Sequence, residues 1–225
     1  MLHEAGRAWL ARQGAKALDR LPAVLKRRGL RVLVDPSMPA HEAVYILREA
    51  LLRTGPRKRV HGVLVQVHGL GVLLTGAAGA GKSRLALELV DRGHRLVADD
   101  AVELESPAPG VLFGACPPML RGLLAVRGPG VLDVGRAYGR VARGRQRVDL
   151  LVRLGGKAGV EPGRHPVRRL LGTALPVLSL ALPLGHNPAV LIEAACREHW
   201  LRLGGHDAGA TLSARQRKAM QAKCP

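Results

Sequence analysis

One stretch of eight residues, Gly76-Ala77-Ala78-Gly79-Ala80-Gly81-Lys82-Ser83, limits the fold of this chain more than any other part of it. It spells G-x-x-x-x-G-K-[ST], the P-loop, which functions only between a strand and a helix. Its surroundings match. Gly71-Val72-Leu73-Leu74-Thr75 is a short apolar run that predicts a buried strand. Arg84-Leu85-Ala86-Leu87-Glu88-Leu89-Val90 is built from good helix formers, with Gly93 as its stop. The glycines let the backbone curl so that N–H groups face an anion, and the helix N-terminus adds positive dipole. Lys82 is expected to reach the β- and γ-phosphates of a nucleoside triphosphate, and the Ser83 hydroxyl to hold Mg²⁺. A glycine-rich turn with an exposed lysine is the bland alternative in a chain with 28 glycines. The order strand, motif, helix argues against it.

His94-Arg95-Leu96-Val97-Ala98-Asp99-Asp100 predicts a second strand ending in two adjacent carboxylates. Ligands of open α/β sheets sit outside the carboxyl ends of the strands, so Asp99 and Asp100 are expected near the bound phosphates. Paired acids there suit two tasks of phosphoryl transfer, holding Mg²⁺ and accepting a proton from an attacking hydroxyl. A solvated Asx turn at a strand end is the competing reading.

From His61 to Glu103 the chain resembles the HPr kinase/phosphorylase family. The likeness is carried by His61-Gly62-Val63-Leu64-Val65, by the P-loop with its flanks, and by Arg92-Gly93-His94-Arg95-Leu96-Val97-Ala98-Asp99-Asp100-Ala101-Val102-Glu103. It resumes at Val126-Arg127-Gly128-Pro129-Gly130-Val131-Leu132-Asp133-Val134, similar to the family's signature segment, and again from Leu175-Pro176 to Ala195. Residues 20–55 resemble the last strand and helix of that family's N-terminal domain. The resemblance implies an α/β fold: a P-loop-containing kinase domain over residues 56–225 with a basic C-terminal tail, and a small, shortened N-terminal α/β remnant over residues 1–55. It implies transfer of the γ-phosphate of ATP, with Mg²⁺, to a serine of an HPr-like phosphocarrier protein, and commonly the reverse reaction. Asp100 would be the base, Asp99 and Ser83 would lie near Mg²⁺, and Lys82 would hold the phosphates. His61 matches a functional histidine near the acidic pair, able to orient or share a proton with Asp100, although a histidine at a strand start is often only surface. Arg127, in the signature segment, is a candidate phosphate contact. The family commonly forms hexamers, the one ground for expecting a homo-oligomer.

The departures from the family are specific. Ala125 stands where the signature segment normally carries a metal-side glutamate, and the family's Tyr-Asp-Arg segment has no clear counterpart between residues 155 and 171. Arg164, Arg168 and Arg169 are the candidate substitutes. Gly185-His186-Asn187 replaces Gly-Arg-Asn, exchanging a permanent cation for a titratable group. Ala78 replaces a usual serine and Arg84 a usual glutamate. Triphosphate binding is expected to survive these changes, and phosphorolysis to be weak.

Composition adds limits. Aromatics are only 2% against 47% hydrophobic residues, so the core must be aliphatic. Cys116, Cys196 and Cys224 show no metal spacing and fit a reducing cytosol, and Met1-Leu2-His3-Glu4 lacks a signal-peptide layout, so a cytoplasmic location is expected. Gly and Pro break the apolar runs too early for a transmembrane helix. A formal charge of +18 favours nucleic acid, acidic proteins or anionic membranes as partners, but the arginines are dispersed and few aromatics interleave them, which argues against a single-strand stacking platform. An arginine-rich codon bias gives the same composition.

The remaining elements are read coarsely. Residues 1–28 and 40–53 look helical, with a strand candidate at 30–34 between them. Gly55-Pro56-Arg57-Lys58-Arg59 reads as a linker and residues 106–114 as a hairpin or loop. Strands are expected at 148–154 and 175–182, a loop at 155–166 and a helix at 188–203. His68 reads as a turn residue. Three functions compete: a protein serine kinase, a catalytically degenerate regulatory nucleotide-binding module, and a basic P-loop protein acting on nucleic acid.

Overall fold

The structure, a computed structural model, describes residue 39 and residues 55–142, 144–155, 166–181 and 187–221. The expected elements in residues 1–53 lie outside these, as do Arg143, Arg164, Gly185, His186 and most of the loop expected at 155–166. The chain divides into two compact units, Met1–Pro56 and Arg57–Pro225. All elements below belong to the second.

Its strands are β1 (Arg57–His61), β2 (Val63–Val67), β3 (Leu70–Gly76), β4 (Arg95–Ala98), β5 (Ala101–Ala108), β6 (Val111–Ala115), β7 (Leu123–Val126), β8 (Gly130–Asp133), β9 (Gln146–Leu154), β10 (Val167–Leu170) and β11 (Thr173–Leu180). The α-helices are α1 (Lys82–Asp91), α2 (Val134–Tyr138), α3 (Pro188–Leu203) and α4 (Ala208–Gln221). Among the described residues nine strands join one sheet in the order β1-β5-β6-β9-β3-β2-β4, with β11 beside β9 and β10 beside β11; β7 and β8 form a separate hairpin. β3 runs parallel to β9, and β9 to β11. β2 is antiparallel to both β3 and β4, so β3 and β4 point the same way and end at the same edge.

Both faces of the sheet centre are buried, which explains why β2 and β3 read as unbroken apolar runs. One face, with Val63, Val65, Val72, Leu74 and Val152, packs on Leu85, Ala86 and Leu89 of α1 and on Ala189, Ile192 and Cys196 of α3. The other, with Leu64, Leu73 and Leu151, meets Val102, Leu104 and Leu112 of the β5–β6 hairpin. Both clusters are aliphatic apart from two cysteines, as the shortage of aromatics requires. Burial pushes the Cys196 thiol up to about 12, so it behaves as a small apolar side chain. Gly71 is required at the β3–β9 seam: a Cβ there would lie 1.9 Å from the Arg147 carbonyl oxygen.

Several expectations need correction. Arg57-Lys58-Arg59 is not linker but the start of β1, paired with β5 through Arg57–Glu105 (3.1 Å) and Arg59–Glu103 (2.7 Å). Opposite charges directly across an antiparallel pair stabilise a strand that its composition disguises. His61 therefore closes β1 and does not open the strand before the P-loop. The basic tail contains a helix, α4, whose first turn is capped by Asp207 accepting from Ala210 N (3.0 Å). The concentration of arginines near 140–147 is largely structural. Arg140 caps the end of α1 through the Val90 (2.8 Å) and Asp91 (3.1 Å) carbonyls, Arg147 pairs with Asp149 (3.0 Å), and Arg145 lies 4.9 Å over the Phe113 ring. Arg92 clamps both oxygens of Glu193, tying α1 to α3 and, with His94, holding that carboxyl down to about 2. Among the described residues no helix is long and apolar enough to cross a membrane.

Candidate active site

The P-loop leaves the carboxyl end of β3 and enters α1, as the motif demands. Gly79 and Gly81 take left-handed backbone angles (φ 78° and 86°), the conformation that glycine adopts without strain. Gly81 is the N-cap of α1 and offers no side chain to the first-turn N–H groups, and no acid stands in that turn. Those donors, with Arg84 beside them, form a positive anion-binding end. Lys82 is buried and donates to the carbonyl oxygens of Gly76 (3.1 Å) and Ala77 (3.0 Å), so its ammonium lies across the loop.

The two adjacent carboxylates have opposite surroundings. Asp99 is buried, one oxygen accepting from the Ser83 hydroxyl (3.0 Å) and the other from the backbone N–H of Ala125 in β7 (2.8 Å). It is not a solvated turn residue. Asp100 has a left-handed backbone (φ 63°) and an exposed side chain, whose Oδ1 lies 2.8 Å from Nδ1 of His61. Gly62, next to His61, donates its N–H to the Asp100 carbonyl (3.2 Å), which fixes β1 against the acidic turn.

These groups surround a cavity of about 490 Å³. Its floor holds Ala78, Gly79, Gly81, Lys82, Ser83 and Asp99, with His61 and Asp100 on its wall. Leu120, Leu123 and Val131 supply an apolar side, and Arg127 borders it from the β7–β8 turn. The sequence-predicted residues His61, Lys82, Ser83, Asp99, Asp100 and Arg127 are thus brought together. Gly76, Ala77 and Ala80 complete the loop without lining the cavity. Sequence reasoning missed the Ala125 N–H and the apolar wall, because a backbone donor and a hairpin folded over the loop leave no motif. Ala125 lines the cavity with no carboxylate to offer.

Two hard oxygen donors, Ser83 and Asp99, beside a helix N-terminus and a buried lysine suit Mg²⁺ and a polyphosphate. Strand, P-loop, helix and a carboxylate hydrogen-bonded to the P-loop serine define a P-loop nucleotide-binding domain of the kinase type.

Within that class the chain belongs to the HPr kinase family. The model for the HPr Serine kinase C-terminal domain matches residues 53–216. The chain is 43% identical over 216 residues to an HPr kinase/phosphorylase of Stenotrophomonas maltophilia (strain K279a), covering 91% of this chain and 68% of that protein. It is 42% identical over 200 residues to an HPr kinase/phosphorylase of Xanthomonas euvesicatoria pv. vesicatoria (strain 85-10), covering 84% of this chain and 63% of that one. The solved HPr(Ser) kinase/phosphatase from Coxiella burnetii superposes with a TM-score of 0.60 at 31% identity, over 69% of this chain and 98% of that structure.

Proposed function

We propose that this protein is an ATP-dependent protein serine kinase of the HPr kinase type, acting on a serine of an HPr-like phosphocarrier protein. The observation that carries the proposal is the division of labour between neighbours: Asp99 is bound to the P-loop serine, while Asp100 faces the open cavity beside His61. Mg²⁺, held by Ser83 and Asp99, would neutralise phosphate charge during transfer. The P-loop N–H groups and Lys82 position the phosphates. Asp100 accepts the proton of the incoming serine hydroxyl, and His61, 2.8 Å away, orients that carboxylate. Arg127 stands where it can meet a phosphate at the cavity rim. Residues 56–225 serve as the kinase domain, residues 1–55 as a remnant of the family's N-terminal domain, and the protein works in the cytoplasm, in an oligomer as its relatives' family commonly does.

The test supplies labelled ATP, Mg²⁺ and purified HPr to the protein and to Asp100→Asn. Transfer to HPr that falls about 10²–10⁴-fold in the variant, with ATP binding retained, is the expected result. More than about half of parental activity in the variant would show that Asp100 is not the base. The exposed, carboxylate-free Ala125 favours a second reading, a nucleotide-binding module without catalysis. ATP binding with no transfer to any phosphocarrier would select it. The nucleic-acid reading loses ground because Arg57, Arg59, Arg92, Arg140 and Arg147 are engaged within the protein.

A further inference from the structure

The end of the sheet opposite the P-loop carries a second cluster of chemistry-bearing side chains. His68 sits in the two-residue turn between β2 and β3, His94 follows α1, and Glu193 is on the second turn of α3. One ligand atom from each lies within 4.8 Å of the others. His94 Nε2 and Glu193 Oε1 are 3.0 Å apart, His94 is buried and Glu193 partly buried, and the His68 ring meets the His94 ring edge-on at 4.9 Å. We propose that His68, His94 and Glu193 form a binding site for a divalent transition metal, of the zinc or cobalt class, separate from the Mg²⁺ position at the P-loop.

The donor set selects the metal. Two imidazole nitrogens and one carboxylate oxygen suit zinc and its neighbours, whereas Mg²⁺ takes oxygen. A pair of ligand atoms on one four-coordinate zinc stands roughly 3.3 Å apart, given bonds of about 2.0–2.1 Å, and the His94–Glu193 pair, at 3.0 Å, needs to open only slightly. The metal takes the place of the proton between Nε2 and Oε1: from an imidazolium that proton leaves to solvent, and from a neutral ring it moves to Nδ1, so that a neutral imidazole binds. Closing the set needs a shift of His68 of no more than about 1.5 Å, the excess of the 4.8 Å bound over the spacing of a bound pair. An exposed residue at a hairpin tip can make that shift. The tip is otherwise fixed, since the indole N–H of Trp200 donates to the His68 carbonyl (3.0 Å).

Arg92 spans both oxygens of Glu193 and sets the plane of the carboxylate, the outer-shell contact that a ligating acid requires. Beside the cluster a cavity of about 340 Å³, lined by Gln66, Gly69, Gly93 and Arg95 together with His68 and His94, leaves room for water or a further ligand on the metal. The three ligands come from three elements, so a bound ion would clamp the β2–β3 turn and the α1–β4 connection to α3.

Metal-stripped protein is titrated with Co²⁺, followed by its visible absorption, and with Zn²⁺ by calorimetry. One equivalent per chain is expected, with a higher melting temperature in Zn²⁺. His68→Asn, which keeps a residue tolerant of the left-handed turn, should weaken binding at least tenfold without changing the melting temperature in EDTA. Glu193→Gln should do the same for binding, but it also removes the Arg92 clamp, so His68→Asn remains decisive if that variant unfolds. Asp99→Asn should leave Co²⁺ affinity unchanged, which separates this site from the P-loop. Affinity weaker than about millimolar, or parental affinity in His68→Asn, would overturn the proposal.

Discussion

Asp99 performs two tasks that substitution can separate. It accepts hydrogen bonds from Ser83 Oγ and from the Ala125 N–H, and in the function proposed above its carboxylate also holds Mg²⁺ beside the P-loop. Asp99→Ala removes both bonds and strands a backbone donor. Hydrogen bonds to a charged acceptor contribute about 1.5–3 kcal/mol each, but Asp99 lines an open cavity from which water can re-solvate the freed groups. The net loss is therefore placed at about 2–3 kcal/mol, below the sum of the two. For a unit of this size that lowers Tm by about 4–12 °C.

Asp99→Asn keeps the shape and both contacts, its amide oxygen accepting from Ala125 and its amide N–H donating to the Ser83 oxygen. It loses only the charge assistance, so its stability should lie within about 1 kcal/mol of the parent. The carboxylate proposed to hold the metal, however, is gone. With Mg·ATP at 100 times its Kd the parent gains about 2.7 kcal/mol; a tenfold loss of affinity leaves about 1.4 kcal/mol of that gain and a hundredfold loss about 0.4 kcal/mol. Thermal unfolding with and without Mg·ATP measures both quantities. An Asn variant as unstable as the Ala variant would refute the hydrogen-bond argument. An Asn variant with the full Mg·ATP shift would refute the metal role.

Three further outcomes are expected. Lys82→Ala should abolish the ATP-induced rise in Tm while leaving the unliganded protein folded; a parental rise would mean that the loop does not hold phosphate. Gly71→Ala drives a Cβ into the Arg147 carbonyl at the β3–β9 seam and should cost about 3 kcal/mol, the upper end for overpacking, read from urea unfolding. Burial raises the Asp149 carboxyl above its ordinary range, against the Gly71 N–H and Arg147 pulling it down, so the folded protein holds that proton to higher pH than the unfolded chain. Asp149 therefore contributes a gain in stability as pH falls from neutral toward the ordinary carboxylate range, and Asp149→Asn should lack that gain when the two are compared across pH 7 to 4.

The sequence made the nucleotide site legible where its parts are contiguous. The P-loop, the strand before it and the helix after it are local patterns, and the strand leading to Asp99 carries its own apolar run. The direction of that strand was legible only in effect: β2 lies between β3 and β4, and its antiparallel pairing with both brings the acids to the P-loop edge. What was lost depends on tertiary contact. β1 is basic and reads as linker until Glu103 and Glu105 are placed across from it. The Ala125 donor belongs to the backbone and has no side-chain signature. His68, His94 and Glu193 are far apart in the chain, so His68 alone read as a turn residue.

The acidic pair also shows why residue type and position do not fix a role until the backbone is known. Two consecutive residues in an extended strand face opposite sides, and one of them would have entered the β-sheet core. Here β4 ends at Ala98 and Asp100 adopts a left-handed backbone, so Asp99 turns inward to Ser83 while Asp100 turns outward to His61. Aspartate and asparagine tolerate that conformation better than other non-glycine residues, because their short polar side chains can bond locally. Under the proposed mechanism the acid at position 100 meets two demands, a proton acceptor at the cavity and a residue able to take a positive φ. Asp100→Asn meets the second demand and fails the first, whereas Asp100→Glu meets the first but strains the turn and moves the carboxylate away from His61. A kinase that tolerated Glu as well as Asp at this position would show that the geometry of the turn does not matter. One that lost activity with both Glu and Asn would show that the turn places the base.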